Sequence, residues 1–153
     1  MAKEVDIVQF IKELPVIQRG RACVILTREY VRQKSWTEQL ADIAEIEHIN
    51  LLDELGSDHT SKMASFSVDG LFNFLQEKST TPVLAVSGIE FIKATWAFNL
   101  QRSMDQFGTQ IELWSKEPAL LFVMQYDPML ANMKFNRFPN LQFVIDQQHT
   151  LKL

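Results

Sequence analysis

The chain has a single cysteine, Cys23, among its 153 residues, which excludes an internal disulfide. It lies inside the apolar run ACVIL and reads as a small buried hydrophobe rather than a reactive thiol. No Gly, Ser or Pro tract occurs, and 46% hydrophobic against 22% charged residues is the balance of a chain that packs a core, so intrinsic disorder is not expected. Positive charge is not in excess. The net charge of −4 makes the protein as a whole a poor match for the general phosphate attraction of non-specific nucleic-acid binding. Apolar runs stay well short of the roughly 18 residues of a membrane span, and MAKEVDIVQFIKELP carries acids between its apolar residues. No membrane association, no signal peptide and a cytoplasmic location are the expectations. His48, His59 and His149 lack metal-ligand spacing, and neither a G-x-S-x-G elbow nor a dinucleotide fingerprint is present.

What is there is an alternation. EVDIVQFIKEL has apolar residues at helical spacing, and Pro15 marks its end. ACVILT is a continuous, branched apolar run, as expected of a strand covered on both faces. SWTEQLADIAEIE then places Trp36, Leu40, Ile43 and Ile46 at helical steps. HINLL is a second short strand candidate, DELGSDHTSKMAS is irregular, and SVDGLFNFLQEK is helical. A third buried strand starts at Val83 in VLAVSGIEFI. KATWAFNLQRSMDQFGTQIELWSKE follows as one long helix, or two broken near Gly108. PALLFVMQY and, after the turn RFPN, LQFVID complete five strands. Strands alternating with helices predict an α/β fold: one three-layer domain over residues 1–153, with a mostly parallel sheet of about five strands. Ligands collect beyond the carboxyl ends of such strands, which singles out Thr27 to Ser35, Ser87 to Glu90 and Gln125 to Asp127.

The first of these stretches carries the spacing of a phosphate-binding loop, G-x-x-x-x-G-K-[ST], from Arg28 to Ser35. Lys34 and Ser35 are in their places, but Arg28 and Gln33 stand where both glycines belong. Glycines matter there because successive backbone N–H groups must turn inward around phosphates, at backbone angles that side chains make costly. A chance match, a vestigial site and a working one all remain open. The other strand ends bear on the choice. Mg²⁺ needs a carboxylate nearby, yet Ser87 follows the third strand and the only acid, Glu90, comes three residues later. Glu90 reads as a residue that orients a water or as a solvated side chain. Gln125 ends the fourth strand as a candidate phosphate sensor, and Asp127 before Pro128 reads as a turn residue.

Two surface features stand out as well. Arg19, Arg21, Arg28, Arg32 and Lys34 cluster in sequence, and acids dominate from Glu38 to Asp58. This polarity suits a surface facing phosphates or an acidic partner, with Arg28 and Arg32 as candidate partner-binding residues, against the plain reading of a solvated face. MLANMKFNRF exposes Met129, Leu130, Met133 and Phe135 to either an oligomer surface or ordinary core packing.

Laid out in this order, the chain resembles a compact P-loop NTPase domain of the RecA or AAA+ type, and within that class the small P-loop protein of BREX phage-defence systems. The resemblance rests on FIKELP, ACVILTREYVRQKSW, EIEHINLLDEL, VLAVSGIEFI and PALLFVMQYDP, over roughly residues 7 to 130. It implies nucleotide held through loop glycines, lysine and hydroxyl, of which only Lys34 and Ser35 carry over. The acid it expects falls on Ser87, while Glu90 is kept. The implied role is a subunit of a multi-protein defence or DNA-processing machine. Three functions follow as expectations: a catalytically degenerate P-loop-like protein without cofactor, acting on a protein partner or as a homo-oligomer; a small ATPase using ATP and Mg²⁺ at Lys34 and Ser35, completed by a partner; or a nucleic-acid adaptor using the basic cluster.

Overall fold

A computed structural model describes residues 4–17, 20–29, 31–55, 67–78, 81–138 and 141–150. Arg19, Tyr30, His59 and most of DELGSDHTSKMAS lie outside the described residues. Helix α1, Ile7–Glu13, starts where the Asp6 carboxylate accepts from Gln9 N–H at 3.1 Å. It ends in the short 3₁₀ turn Leu14–Val16 at Pro15. Strand β1, Ala22–Thr27, is buried along its whole length and is followed by α2, Gln33–Ala44. Strand β2 covers only Glu47–Asn50, and the rest of the apolar run HINLL opens helix α3, Leu51–Leu55. The Asn50 side-chain oxygen causes this switch by accepting from Asp53 N–H at 3.1 Å, which caps the new helix.

Helix α4, Val68–Gln76, is capped by Ser67 and leads to β3, Val83–Ser87. Helix α5, Glu90–Thr95, is joined by a 3₁₀ turn at Ala97–Asn99 to α6, Leu100–Leu113. The break in this long segment therefore falls at Trp96 to Asn99 and not at Gly108, which lies inside an unbroken α6. Gly108 serves packing instead. A Cβ there would stand 1.9 Å from the Met133 sulfur, so the missing side chain is the space that Met133 fills. Strand β4, Ala119–Gln125, helix α7, Pro128–Ala131, and strand β5, Val144–Asp146, complete the chain. Leu130 is fully buried, and Met129, Met133 and Phe135, partly buried, pack against the core. The MLANMKFNRF stretch thus contributes to the core.

The sheet is five-stranded and parallel throughout, in the order β2-β3-β4-β1-β5. Alternate residues of its central strands feed two cores. Val24, Leu26, Leu120 and Phe122 face α4 and α6, where Phe72 meets Phe107, Trp114 and Phe122 at ring distances of 5.4–5.7 Å. Cys23, Ile25, Leu121 and Val123 face α1 and α2 through Ile7, Ile11 and Leu40. Burial holds the Cys23 thiol well above its ordinary pKa, so it stays protonated. The architecture is the α/β class expected, with helices on both faces, and it brings the connections after β1, β3 and β4 together at one end of the sheet.

Candidate functional site at the carboxyl ends of the strands

Gln33, the first residue of α2, organises this end of the sheet. Its side chain is only 2% exposed. The amide oxygen accepts from the Gly88 backbone N–H at 3.1 Å, and the amide nitrogen donates to Glu90 Oε2 at 2.9 Å. The same Glu90 oxygen accepts from Gln125 N–H at 2.6 Å. One glutamine and one carboxylate thus staple the start of α2 to the ends of β3 and β4. Glu90 Oε1 is buried without a hydrogen-bond partner among the described residues. Glu90 is therefore an internal tie and not the solvated side chain of the plainer expectation. Gln125 takes part through its backbone, with its side chain exposed.

Gly88 makes this geometry reachable. Its φ of +77° turns the chain sharply between β3 and α5, and a Cβ would stand 3.0 Å from the Asn50 amide. Beneath it, Ser87 is wholly buried, with its hydroxyl 2.7 Å from His48 Nε2 and accepting from Asn50 Nδ2 at 3.0 Å. With the imidazole hydrogen on Nδ1 the hydroxyl donates to His48 Nε2, and with it on Nε2 the hydroxyl accepts from both neighbours. Burial lowers the His48 pKa, opposed by the charges of Glu38 and Asp53 and reinforced by that of Lys34. The position where a metal-binding acid is expected is thus a serine engaged with two neighbours. Among the described residues, no group of three or more His, Cys, Asp or Glu is placed to hold a metal.

Lys34 and Ser35 are not brought into this network. The Lys34 ammonium lies 2.5 Å from Asp53 of α3, both side chains about half exposed, and this partner raises the lysine pKa. The Ser35 hydroxyl donates to the Arg32 carbonyl at 3.2 Å, which turns it back on its own loop. The arginines are paired as well. Arg28 bonds Asp146 at 2.8 Å and lies over the Tyr126 ring at 4.4 Å, while Arg32, 82% exposed, meets Glu29 at 3.3 Å. Three members of the basic cluster, Arg28, Arg32 and Lys34, thus each face an acid, whereas Arg21 donates to the Ile17 carbonyl. Asp127 caps α7 by accepting from Met129 N–H at 2.8 Å and pairs with Lys93 of α5, the turn role its position suggested.

A cleft of about 420 Å³ opens beside the loop after β1, on the β5 side. Thr27 and Gln33 at the end of β1 and the start of α2 line it together with Arg28, Arg32, Ser35 and Trp36, and Gln39, Gln147 and Gln148 complete its wall, whereas Lys34 does not take part. Sequence reasoning missed Gln33, noted only as a lost glycine, and the pairing of His48 and Asn50 with Ser87. The one signal for the pair was the alternation in HIN, which puts two polar side chains on the same strand face.

No protein-family model matches the chain, and no curated protein matches it. Among solved structures, it is similar to C. elegans PCH-2, an AAA+ ATPase, at 10% identity and a TM-score of 0.41. The similarity covers 92% of this chain and 42% of that one, so the chain spans less than half of that protein's length. This is a likeness of chain path only. The parallel five-stranded sheet with helices on both faces is itself consistent with a P-loop NTPase-like fold. Among the described residues, no helix is long and apolar enough to cross a membrane.

Proposed function

We propose that this protein is a P-loop-like domain that has given up nucleotide chemistry and works as a protein-binding or regulatory subunit of a larger assembly. The observation that carries the proposal is the staple from Gln33 to Glu90, Gly88 and Gln125, which ties the start of α2 to the ends of β3 and β4 through the chain's own groups. A phosphate-binding loop needs inward backbone N–H groups, a lysine aimed at the outer phosphates and a carboxylate for Mg²⁺. Here Gln33 occupies the second glycine position, Lys34 extends to Asp53, and Ser87 stands in the acid's place bound to His48. That donor set does not fit a Mg²⁺–nucleotide complex.

The balanced charge around Arg28, Arg32 and Lys34 favours a protein partner over nucleic acid, because a polyanion gains affinity by replacing counterions at unpaired cations. The resemblance in element order to the small P-loop protein of BREX systems extends the proposal to a phage-defence or DNA-processing assembly. The test is a thermal shift with ATP and Mg²⁺ on wild type and Lys34→Ala, since a ligand that binds only the folded state raises its melting temperature. The proposal expects no shift in either. A rise in wild type that disappears in Lys34→Ala would overturn it in favour of a small ATPase acting through Lys34 and Ser35.

A further inference from the structure

We infer that the cleft beside the loop after β1 is a docking site for an extended segment of a partner protein carrying a glutamate or aspartate. This rests on the protein-binding reading above and names its site and the chemistry of the partner. The cleft volume of about 420 Å³ is near the lower end of the roughly 300–1,000 Å³ of ordinary ligand sites, room for a few side chains and not for a folded surface.

Its walls are rich in hydrogen-bond donors. Arg28 uses one nitrogen on Asp146 and a ring face on Tyr126, but a guanidinium carries five N–H groups. Among the described residues Arg32 pairs with Glu29, at 3.3 Å in an exposed pair three residues apart, the kind of pairing that contributes little and exchanges readily. A partner carboxylate seated on Arg32 replaces one surface acid by another and disturbs nothing in the core. Gln39, Gln147 and Gln148 each offer a donor and an acceptor, which matches the alternating N–H and C=O of a peptide backbone; a bare phosphate has no donor to offer them. Trp36 packs one face on the core and lines the cleft with the other, an apolar wall for the stem of the acidic side chain.

Nucleic acid suits the cleft less well. Glu29 lines it, Asp146 stands behind Arg28, and Lys34 is committed to Asp53, so the local field is balanced. One carboxylate finds a site there, and a chain of phosphates does not.

The tryptophans supply the readout. Trp96 and Trp114 are 7% and 5% exposed, which leaves Trp36 as the one open to quenching by acrylamide. A blocked peptide alternating alanine and glutamate should shield Trp36, and its glutamine counterpart should not. Arg32→Ser should weaken the glutamate peptide by about tenfold or more, the loss expected with one charged hydrogen bond. Glu29→Gln should tighten it, since the competing carboxylate is gone, and no folding defect produces a gain. Equal shielding by the glutamine peptide, no shielding by either peptide, or indifference to both substitutions overturns the inference. So does shielding by an oligothymidylate in place of the peptide, with a steep salt dependence. If ATP with Mg²⁺ shields Trp36 in a Lys34-dependent way, the protein-binding reading itself falls. Silence from both ATP and the peptides removes the docking site alone.

Discussion

Gln33→Ala tests whether the staple at the strand ends holds the fold there. Two hydrogen bonds go at once. The bond from Gly88 N–H is neutral and contributes about 0.5–1.5 kcal/mol, and the bond to the Glu90 carboxylate contributes about 1.5–3 kcal/mol. Gly88 is buried, so its N–H loses its acceptor without gaining solvent. The helix propensity of alanine at the start of α2 returns only a few tenths of a kcal/mol. The net loss is about 2–4 kcal/mol, which at a urea m-value of about 2 kcal/mol/M lowers the unfolding midpoint by roughly 1–2 M. Urea unfolding followed by circular dichroism measures this, with the slope expected to stay unchanged. Lys34→Ala is the matched control one residue along: its ion pair is half exposed, and its midpoint should stay near that of wild type. A Gln33→Ala midpoint within about 0.3 M of wild type would refute the reasoning, because a buried two-bond staple cannot be removed without cost.

His48 adds a dependence on pH. Because burial lowers its folded pKa below the ordinary 6.5, the unfolded chain takes up a proton first as pH falls. Stability is therefore full above about pH 6.5 and is lost below it towards the folded pKa, and His48→Gln should flatten this loss as pH falls below about 6.5; an equal loss in the variant would assign it elsewhere. Gly88→Ala should destabilise by about 1–2 kcal/mol through its positive φ, with a further cost from crowding Asn50, and a variant as stable as wild type in thermal unfolding would show that the turn can relax.

The parts of the fold that the sequence announced are those where one physical demand acts alone. Strands β1 and β4 are buried on both faces, so their residues had to be continuously apolar, and ACVILT and PALLFVMQY could be read at sight. Where two demands compete, the pattern misleads. The run HINLL is apolar enough for a strand throughout, but Asn50 caps a helix in its middle. Gly108 looks like a helix break by propensity and is retained because Met133 needs its space, a contact between residues far apart in sequence. The site was legible only as a loss. Arg28 and Gln33 could be seen to replace glycines, but the partners of Gln33 lie 55 and 57 residues away, at a turn whose shape depends on Gly88. No local pattern encodes that meeting.

The two residues at the glycine positions of the phosphate-loop spacing, Arg28 and Gln33, point opposite ways. At position 28 the side chain turns outward, pairs with Asp146 and covers Tyr126, so it builds surface. At position 33 it turns inward and binds the backbone N–H of Gly88 and the carboxylate of Glu90, so it builds interior. The neighbouring lysine extends the other way, to Asp53 of α3, which gives the ammonium a partner at the surface. The loop keeps its position between a buried strand and a long helix, but the ends of β3 and β4 are tied to the start of α2, and the open space lies at the ends of β1 and β5, walled by arginine, tryptophan and glutamine. A loop arranged in this way exposes its side chains, where a phosphate-binding loop would present its backbone.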